Sequence, residues 1–557
     1  MTEVPKKGWN RRLALGGAGA AILGAGGYLA FHPSKKGATR STLDSHTLYR
    51  GNGAEPESLD PSFIQATWEN WIACDLLVGL ITSDAAGKAI PGMATSWTTA
   101  PDGLTWTFKL RDAQWSDGKP VTAEDFSFSW LRTIEAATAS PYAYFLYPFK
   151  NAQAINARKM PAEAFGVKAL DPHTLEIKLE HPVPYLLQML THNSLYPQPK
   201  HVVETKGKVW ARPGNYVSNG AYILQEWAPN DHVLLVKNPR FYDAAHVAIE
   251  RVLFYPTDDY GAALRRLRAG ELDLQESYPA AQIGWLKANM PELLHPIPQL
   301  TSEFISLNVK RKPFDDSRVR AAINMVINRE MLVQKITRGG EPAAYNLVPP
   351  GTSSFPGGNA FAFKDQPYSQ RLVEAQQLMR EAGYGPGRTA EATYAIRSTA
   401  PGNGRAEAVA IQQALALIYI NMSILPFDAS IFYDTIQQHD FDMAQAGWQA
   451  DFDDAATFLE LFETGSGNNW GQYSNPDFDA LLKDSRQSLD VTDRGRKLAA
   501  AEALLLKDNA LVPLFFWVTT NLVRPYVKGW VSNKMEINQS RWLSFDQKAR
   551  AALFAGA

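Results

Sequence analysis

Residues 441–469 read FDMAQAGWQADFDDAATFLELFETGSGNN. An apolar-flanked strand pattern runs into Ala446-Gly447-Trp448, and an acidic cluster comes next, Asp451, Asp453 and Asp454, set among Trp448, Phe452 and Phe458. A carboxylate buried among aromatics is costly unless paired. One that faces a water-poor pocket therefore needs a cation, which a ligand ammonium would supply through charge-assisted hydrogen bonds. Helix capping is the alternative for Asp453 and Asp454, because acidic residues between a strand and an apolar helical run satisfy the first free N–H groups of the helix. An EF-hand calcium loop requires Gly and Glu where Ala456 and Phe462 stand, which excludes it.

The remainder of the chain bounds what such a cluster could serve. Its 557 residues exceed what one hydrophobic core usually organises, so two or more globular units are expected. With hydrophobic residues at 45% and charged residues at 20%, the composition is that of a soluble globular protein. A net charge of -2 gives no electrostatic case for nucleic acid. The aromatics, 15 Trp among them, serve cores first but also suit an aromatic-lined cleft. Cys74 stands alone, which excludes an intrachain disulfide, a Cys-based zinc site, an iron–sulfur cluster and a lipoprotein anchor. It reads as a small buried residue.

The start is basic, with Lys6, Lys7, Arg11 and Arg12, and residues 13–31 form an uncharged Gly/Ala-rich run. This is the layout of an export signal, with Arg11-Arg12 resembling a twin-arginine motif; cleavage and retention as an N-terminal membrane anchor both stay open. Either way the globular part is expected outside the cytoplasm, after a polar linker ending near residue 45.

The segment AGWQADFDDxxTFL, from Ala446, resembles AGWCADYxxPTSFL of the periplasmic oligopeptide-binding proteins, receptors of peptide ABC transporters. In that family the Asp after W-x-A pairs with the peptide's α-ammonium, which by position is Asp451. Further matches run along the chain. SLDP at residues 58–61 resembles the start of the mature receptors, where a segment shortly afterwards lines the cleft, here Gln65 to Thr67; relatives are acidic where Gln65 stands. WTFKLRDAQWSDGKPVTAEDF, from Trp106, matches the extended signature of the solute-binding family, with an alternating strand at 104–110, a turn, and Thr122 opening a helix over 125–132. SPYAY at 140–144 implies Tyr142 facing ligand. PGNYVSNGAY at 213–222 matches the return to the first lobe. VPLFFW at 512–517 matches a strand that recrosses the cleft and brings Trp517 near ligand.

Alternating helix and strand patterns point to α/β lobes. The resemblance implies a periplasmic-binding-protein-like fold of two main lobes with a hinge plus an extra inserted lobe. The divisions expected are 46–77, 200–303 and 519–557 for the first lobe, 78–199 for the inserted lobe and 304–518 for the third. Asp316 is placed to cap a helix with the apolar stripe Val319, Ala322, Ile323 and Val326, and Gly270 to stop another. Gln449 and Ala450, with Gln65 to Thr67, would hold a peptide backbone by strand-like hydrogen bonds, while Trp448, Tyr142, Phe304 and Trp517 wall the cleft.

Departures from the family are specific. Gln449 replaces a Cys, and Gln445 and Ile436 replace two arginines that help meet acidic groups or the peptide carboxylate. Arg405, near a family position able to meet that carboxylate, is a substitute, or else a solvated arginine at a helix start. Ligand length and even class are thereby left open, since the wider family also takes dipeptides, murein peptides and non-peptide solutes. HExxH, GxSxG and GxxxxGK[ST] are absent, so no enzyme, catalytic residue, metal or cofactor is expected. The partners implied are a peptide and a membrane ABC permease, with a monomeric receptor in the periplasm.

Overall fold

The computed structural model describes residues 44–555 except 258 and 399–403. The expected export signal lies outside these residues. A mixed sheet of ten strands forms the frame, ordered Ile420–Phe427, Ala390–Arg397, Met443–Gln449, Leu294–Leu307, Leu511–Val523, Leu274–Gln275, Thr47–Gly51, Arg251–Tyr255, His232–Lys237 and Tyr222–Ala228. Early, middle and late parts of the chain meet in one half of it. Buried Asp273 ties them together, accepting hydrogen bonds from the backbone N–H of Tyr49 at 2.9 Å and the Tyr526 hydroxyl at 2.7 Å while pairing with Arg550 at 3.1 Å.

The two halves are joined by the two longest strands. Leu294–Leu307 and Leu511–Val523 pair antiparallel from Leu294↔Leu522 to Pro298↔Val518, lose register, and pair again from Ser302↔Phe516 to Ser306↔Leu511. The break comes after Pro298, which has no N–H to give to a ladder. A second antiparallel sheet, Ala94–Thr99, Thr105–Leu110, Thr174–Lys178 and Val167–Asp171, stands apart from the first. Helix Ala123–Ile134 covers it, burying Phe126, Trp130 and Ile134, with Trp130 stacked on Phe149 at 5.2 Å.

Local signals explain the element ends. The Thr122 N–H donates to Asp125 at 2.8 Å, so the expected helix begins two residues early and runs on to Ile134. Asp316 caps Ser317–Val326 by accepting from the Arg318 N–H at 2.9 Å. Gly270 ends Tyr260–Ala269 in the left-handed region at φ 80°. Cys74 is buried in the largest apolar cluster. Among the described residues no helix is long and apolar enough to cross a membrane.

Candidate functional site: two adjoining cavities with buried acids

Strand Met443–Gln449 pairs antiparallel with Leu294–Leu307, from Leu307↔Met443 to Thr301↔Gln449, and parallel with Ala390–Arg397. The Ala450 N–H donates to the Leu300 carbonyl at 2.8 Å, after which the chain leaves the sheet for a tightly anchored loop. Asp454 is buried and bound by both terminal nitrogens of Arg494, at 2.5 and 2.7 Å, and it also accepts from the Ala456 N–H at 2.9 Å. Asp453 accepts from the Ser353 N–H at 2.9 Å and pairs with Lys534 at 2.7 Å. The N-cap of the short helix Ala456–Leu459 is Ala455, without a side-chain cap; Asp454 meets the first N–H of that helix from one position further out, and Asp453 meets none, so neither is the N-cap. Phe452 leaves the loop to stack on Tyr185, with centroids 4.5 Å apart and planes 3° from parallel, carrying this segment into the core beneath the second sheet.

Asp451 is different. Its backbone N–H donates to Thr457 Oγ1 at 3.3 Å, a hydroxyl that also accepts from Trp448 Nε1 at 3.1 Å. Among the described residues its carboxylate has no ion pair, and it faces a cavity of about 340 Å³. Asp451 is half-buried, and desolvation at the cavity wall pushes its carboxyl up to about 7. Across the cavity stand Tyr142 and His192, ring centroids 5.1 Å apart. Burial and the Asp451 charge together raise the Tyr142 hydroxyl above its ordinary range, and burial lowers His192 to about 4, so both are neutral near pH 7. Among the described residues lining the cavity Asp451 is the one acid, about half ionised near pH 7, and no lysine or arginine faces it.

Gln65, Thr67, Trp448, Gln449 and Ala450 line the same cavity. All but Ala450 also line an adjoining cavity of about 610 Å³, which contains Trp517. At three of the expected backbone positions the N–H already has a partner within the protein. The N–H groups of Gln65 and Ala66 donate to Glu69 at 3.0 and 3.1 Å, and that of Ala450 is held by Leu300, so none is free to receive a ligand strand. Glu69 also accepts from the N–H groups of Glu57 and Ser58, and it fixes the whole 57–66 loop.

Two expected residues lie elsewhere. Phe304 is buried in the core against Phe462, with centroids 5.9 Å apart, because strand alternation turns Thr301 and Glu303 to the cavity and Phe304 away from it. Arg405 is exposed at the start of Gly404–Ala416 and lines a neighbouring hollow with Met331, Ile336 and Val409, which shares only Arg397 with the 610 Å³ cavity. The cation that does line the cleft is Arg397, at the end of its strand, its Nη1 3.4 Å from the Tyr433 hydroxyl. Sequence reading missed Arg397, Glu303, His192 and Tyr433. Only Glu303 carried a signal, as an acidic residue inside an otherwise apolar strand pattern.

The model of the bacterial extracellular solute-binding proteins, family 5 Middle, matches residues 88–470. The periplasmic oligopeptide-binding protein OppA of Salmonella typhimurium is 38% identical over 498 residues, covering 87% of this chain and 90% of that one. The periplasmic murein peptide-binding protein MppA of Escherichia coli is 32% identical over 502 residues, covering 89% and 93%. Among solved structures, Haemophilus influenzae OppA in complex with RPPGFSPFR is similar with a TM-score of 0.79 at 33% identity, covering 90% of this chain and 99% of that one. The Escherichia coli murein tripeptide-binding protein MppA has a TM-score of 0.80 at 31% identity, covering 90% and 98%. With a match across most of its length and an α/β frame shared with these periplasmic-binding-protein-like structures, the chain belongs to the family 5 bacterial extracellular solute-binding proteins.

Proposed function

We propose that this protein is an extracytoplasmic receptor that binds oligopeptides between its lobes and delivers them to a membrane ABC permease, with Asp451 pairing the peptide's α-ammonium. The observation that carries this reading is the Asp451 carboxylate, the member of its acidic cluster that is left without a cation and set on a cavity. A ligand ammonium there relieves the burial cost and makes charge-assisted hydrogen bonds. The names of the similar proteins, oligopeptide-binding and murein peptide-binding and both periplasmic, support peptide as the ligand class and the periplasm as the location. Asp451 favours an amine-bearing ligand over an anionic one.

In this reading residues 46–77, 200–303 and 519–557 form one lobe, 78–199 an inserted lobe and 304–518 the third. The paired strands crossing near Pro298 act as the hinge for closure. Arg397, which lines the adjoining cavity, takes the place of Arg405 as the cation for the peptide carboxylate. Trp448, Tyr142 and Trp517 wall the cleft, and the receptor works as a monomer.

Calorimetry with tri- to pentapeptides, together with mass spectrometry of whatever co-purifies, tests the reading. Free-amine peptides are expected to bind, and N-acetylation of the same peptides to weaken binding tenfold or more. Equal binding of acetylated peptides would remove Asp451 from the role, and a co-purifying sugar or metal chelate with no peptide would replace the ligand class.

A further inference from the structure

The cleft contains a second buried acid that ammonium recognition does not use. Glu303 is 5% exposed and lines the 610 Å³ cavity beside the Asp451 cavity. Its two oxygens are held in place by neutral donors, Trp517 Nε1 at 3.1 Å and Gln445 Nε2 at 3.2 Å. Gly447 opposes it in the sheet, and a Cβ there would stand 2.7 Å from Glu303 Oε2, so the missing side chain is what leaves room for the carboxylate. Arg397 lines the same cavity, yet the two make no ion pair. Gln445 donates to Glu303, and its Oε1 accepts from the backbone N–H of Arg397 at 3.4 Å. Two neutral hydrogen bonds orient a carboxylate without neutralising it, which leaves it poised for a cation from outside.

We infer that Glu303 reads a basic side chain of the bound peptide, so that the receptor prefers ligands carrying Lys or Arg a few residues after the free amine. This rests on the peptide-receptor reading and deepens it. Position along the strand sets where the basic residue falls. Glu303 pairs with Gly447, four residues before Asp451, and since the strand ends at Gln449 the offset is at most roughly 13 Å at about 3.3 Å per residue. An extended peptide anchored by its ammonium at Asp451 covers that distance in about three to four residues. The third or fourth side chain therefore reaches Glu303, and an acidic residue there meets like charge. Burial pushes the Glu303 carboxyl up to about 7, against the opposing effects of its two hydrogen bonds and the Arg397 charge, which fits a group that gains from a ligand cation.

The test uses the full chain and a tetra-alanine series with Lys, norleucine or Glu substituted singly at positions two to four, titrated calorimetrically at pH 8. The expected result is a preference for Lys over norleucine of about tenfold or more at position three or four, and rejection of Glu at that position. In Glu303→Gln, which keeps an acceptor for Trp517, the Lys-to-norleucine ratio is expected to fall to about one. A merely structural role for Glu303 would shift both affinities together and leave the ratio intact. Peptides that bind with no Lys preference in the wild-type protein, or a preference that survives in the variant, overturn this inference alone. If no peptide of the series binds, the receptor reading fails first and takes this inference with it.

Discussion

Replacing Asp451 with alanine is expected to weaken binding of a free-amine peptide by roughly ten- to a hundred-fold or more, the equivalent of one charge-assisted hydrogen bond of about 1.5–3 kcal/mol. The same residue makes binding pH-dependent in a definite direction. In the ligand-free cleft the carboxyl sits at about 7, and it must be ionised to pair with an ammonium. Affinity therefore falls as pH drops below about 7, and binding near pH 6 releases a proton. Above about 8 the peptide's own amine loses its charge, so the optimum lies between the two. Stability of the ligand-free protein moves the opposite way. A carboxyl whose folded value lies above its ordinary 3.8 penalises folding once it must ionise, so stability is lost as pH rises from about 4 through about 7. Asp451→Asn should abolish that loss while also abolishing the proton release. Calorimetry in buffers of different ionisation enthalpy, with a peptide lacking basic side chains, reads the proton release, and denaturant midpoints across about pH 4 to 8 read the stability. An unchanged proton count in the variant would mean that another group carries the linkage.

The second large effect concerns the anchor of the loop rather than its free carboxylate. Arg494→Ala should cost about 3–5 kcal/mol, because it leaves Asp454 charged and buried without a partner. Arg494 also lies over the Tyr185 ring at 4.9 Å, and Tyr185 in turn stacks on Phe452, so the path of residues 450–456 depends on it. Peptide affinity is expected to fall together with stability. In the double variant Arg494→Met, Asp454→Asn no uncompensated charge remains, and much of the lost stability should return. Denaturant midpoints of the three proteins decide the matter; a loss below about 1 kcal/mol in Arg494→Ala would show that the pair is not as desolvated as its geometry states.

Comparison of the three aspartates in this loop shows where sequence reading stopped. Asp451, Asp453 and Asp454 lie within four positions of one another and share the same local pattern. Their roles differ because Arg494, Ser353 and Lys534 approach from distant parts of the chain. Helix capping, which depends on neighbours a few residues away, was the local alternative for Asp453 and Asp454, and neither turned out to be the N-cap. In the same way the alternation of TSEFISL announces a strand, while only its pairing with Met443–Gln449 decides that Glu303 meets the cleft and Phe304 the core. Arg405 was selected by proximity to a family position, whereas Arg397 lines the cavity because the parallel pairing of its strand brings its end beside Gln445.

What the order of residues determined by itself is the family and the local grammar. Long contiguous motifs such as WSDGKPVTAEDF, the Asp316 cap and the Gly270 stop depend on backbone geometry and on contacts within a few positions. What the tertiary structure alone decided is which charges remain unpaired. A buried carboxylate becomes a site or a strut according to whether a cation from another segment reaches it, and that is a property of chain packing rather than of any short stretch.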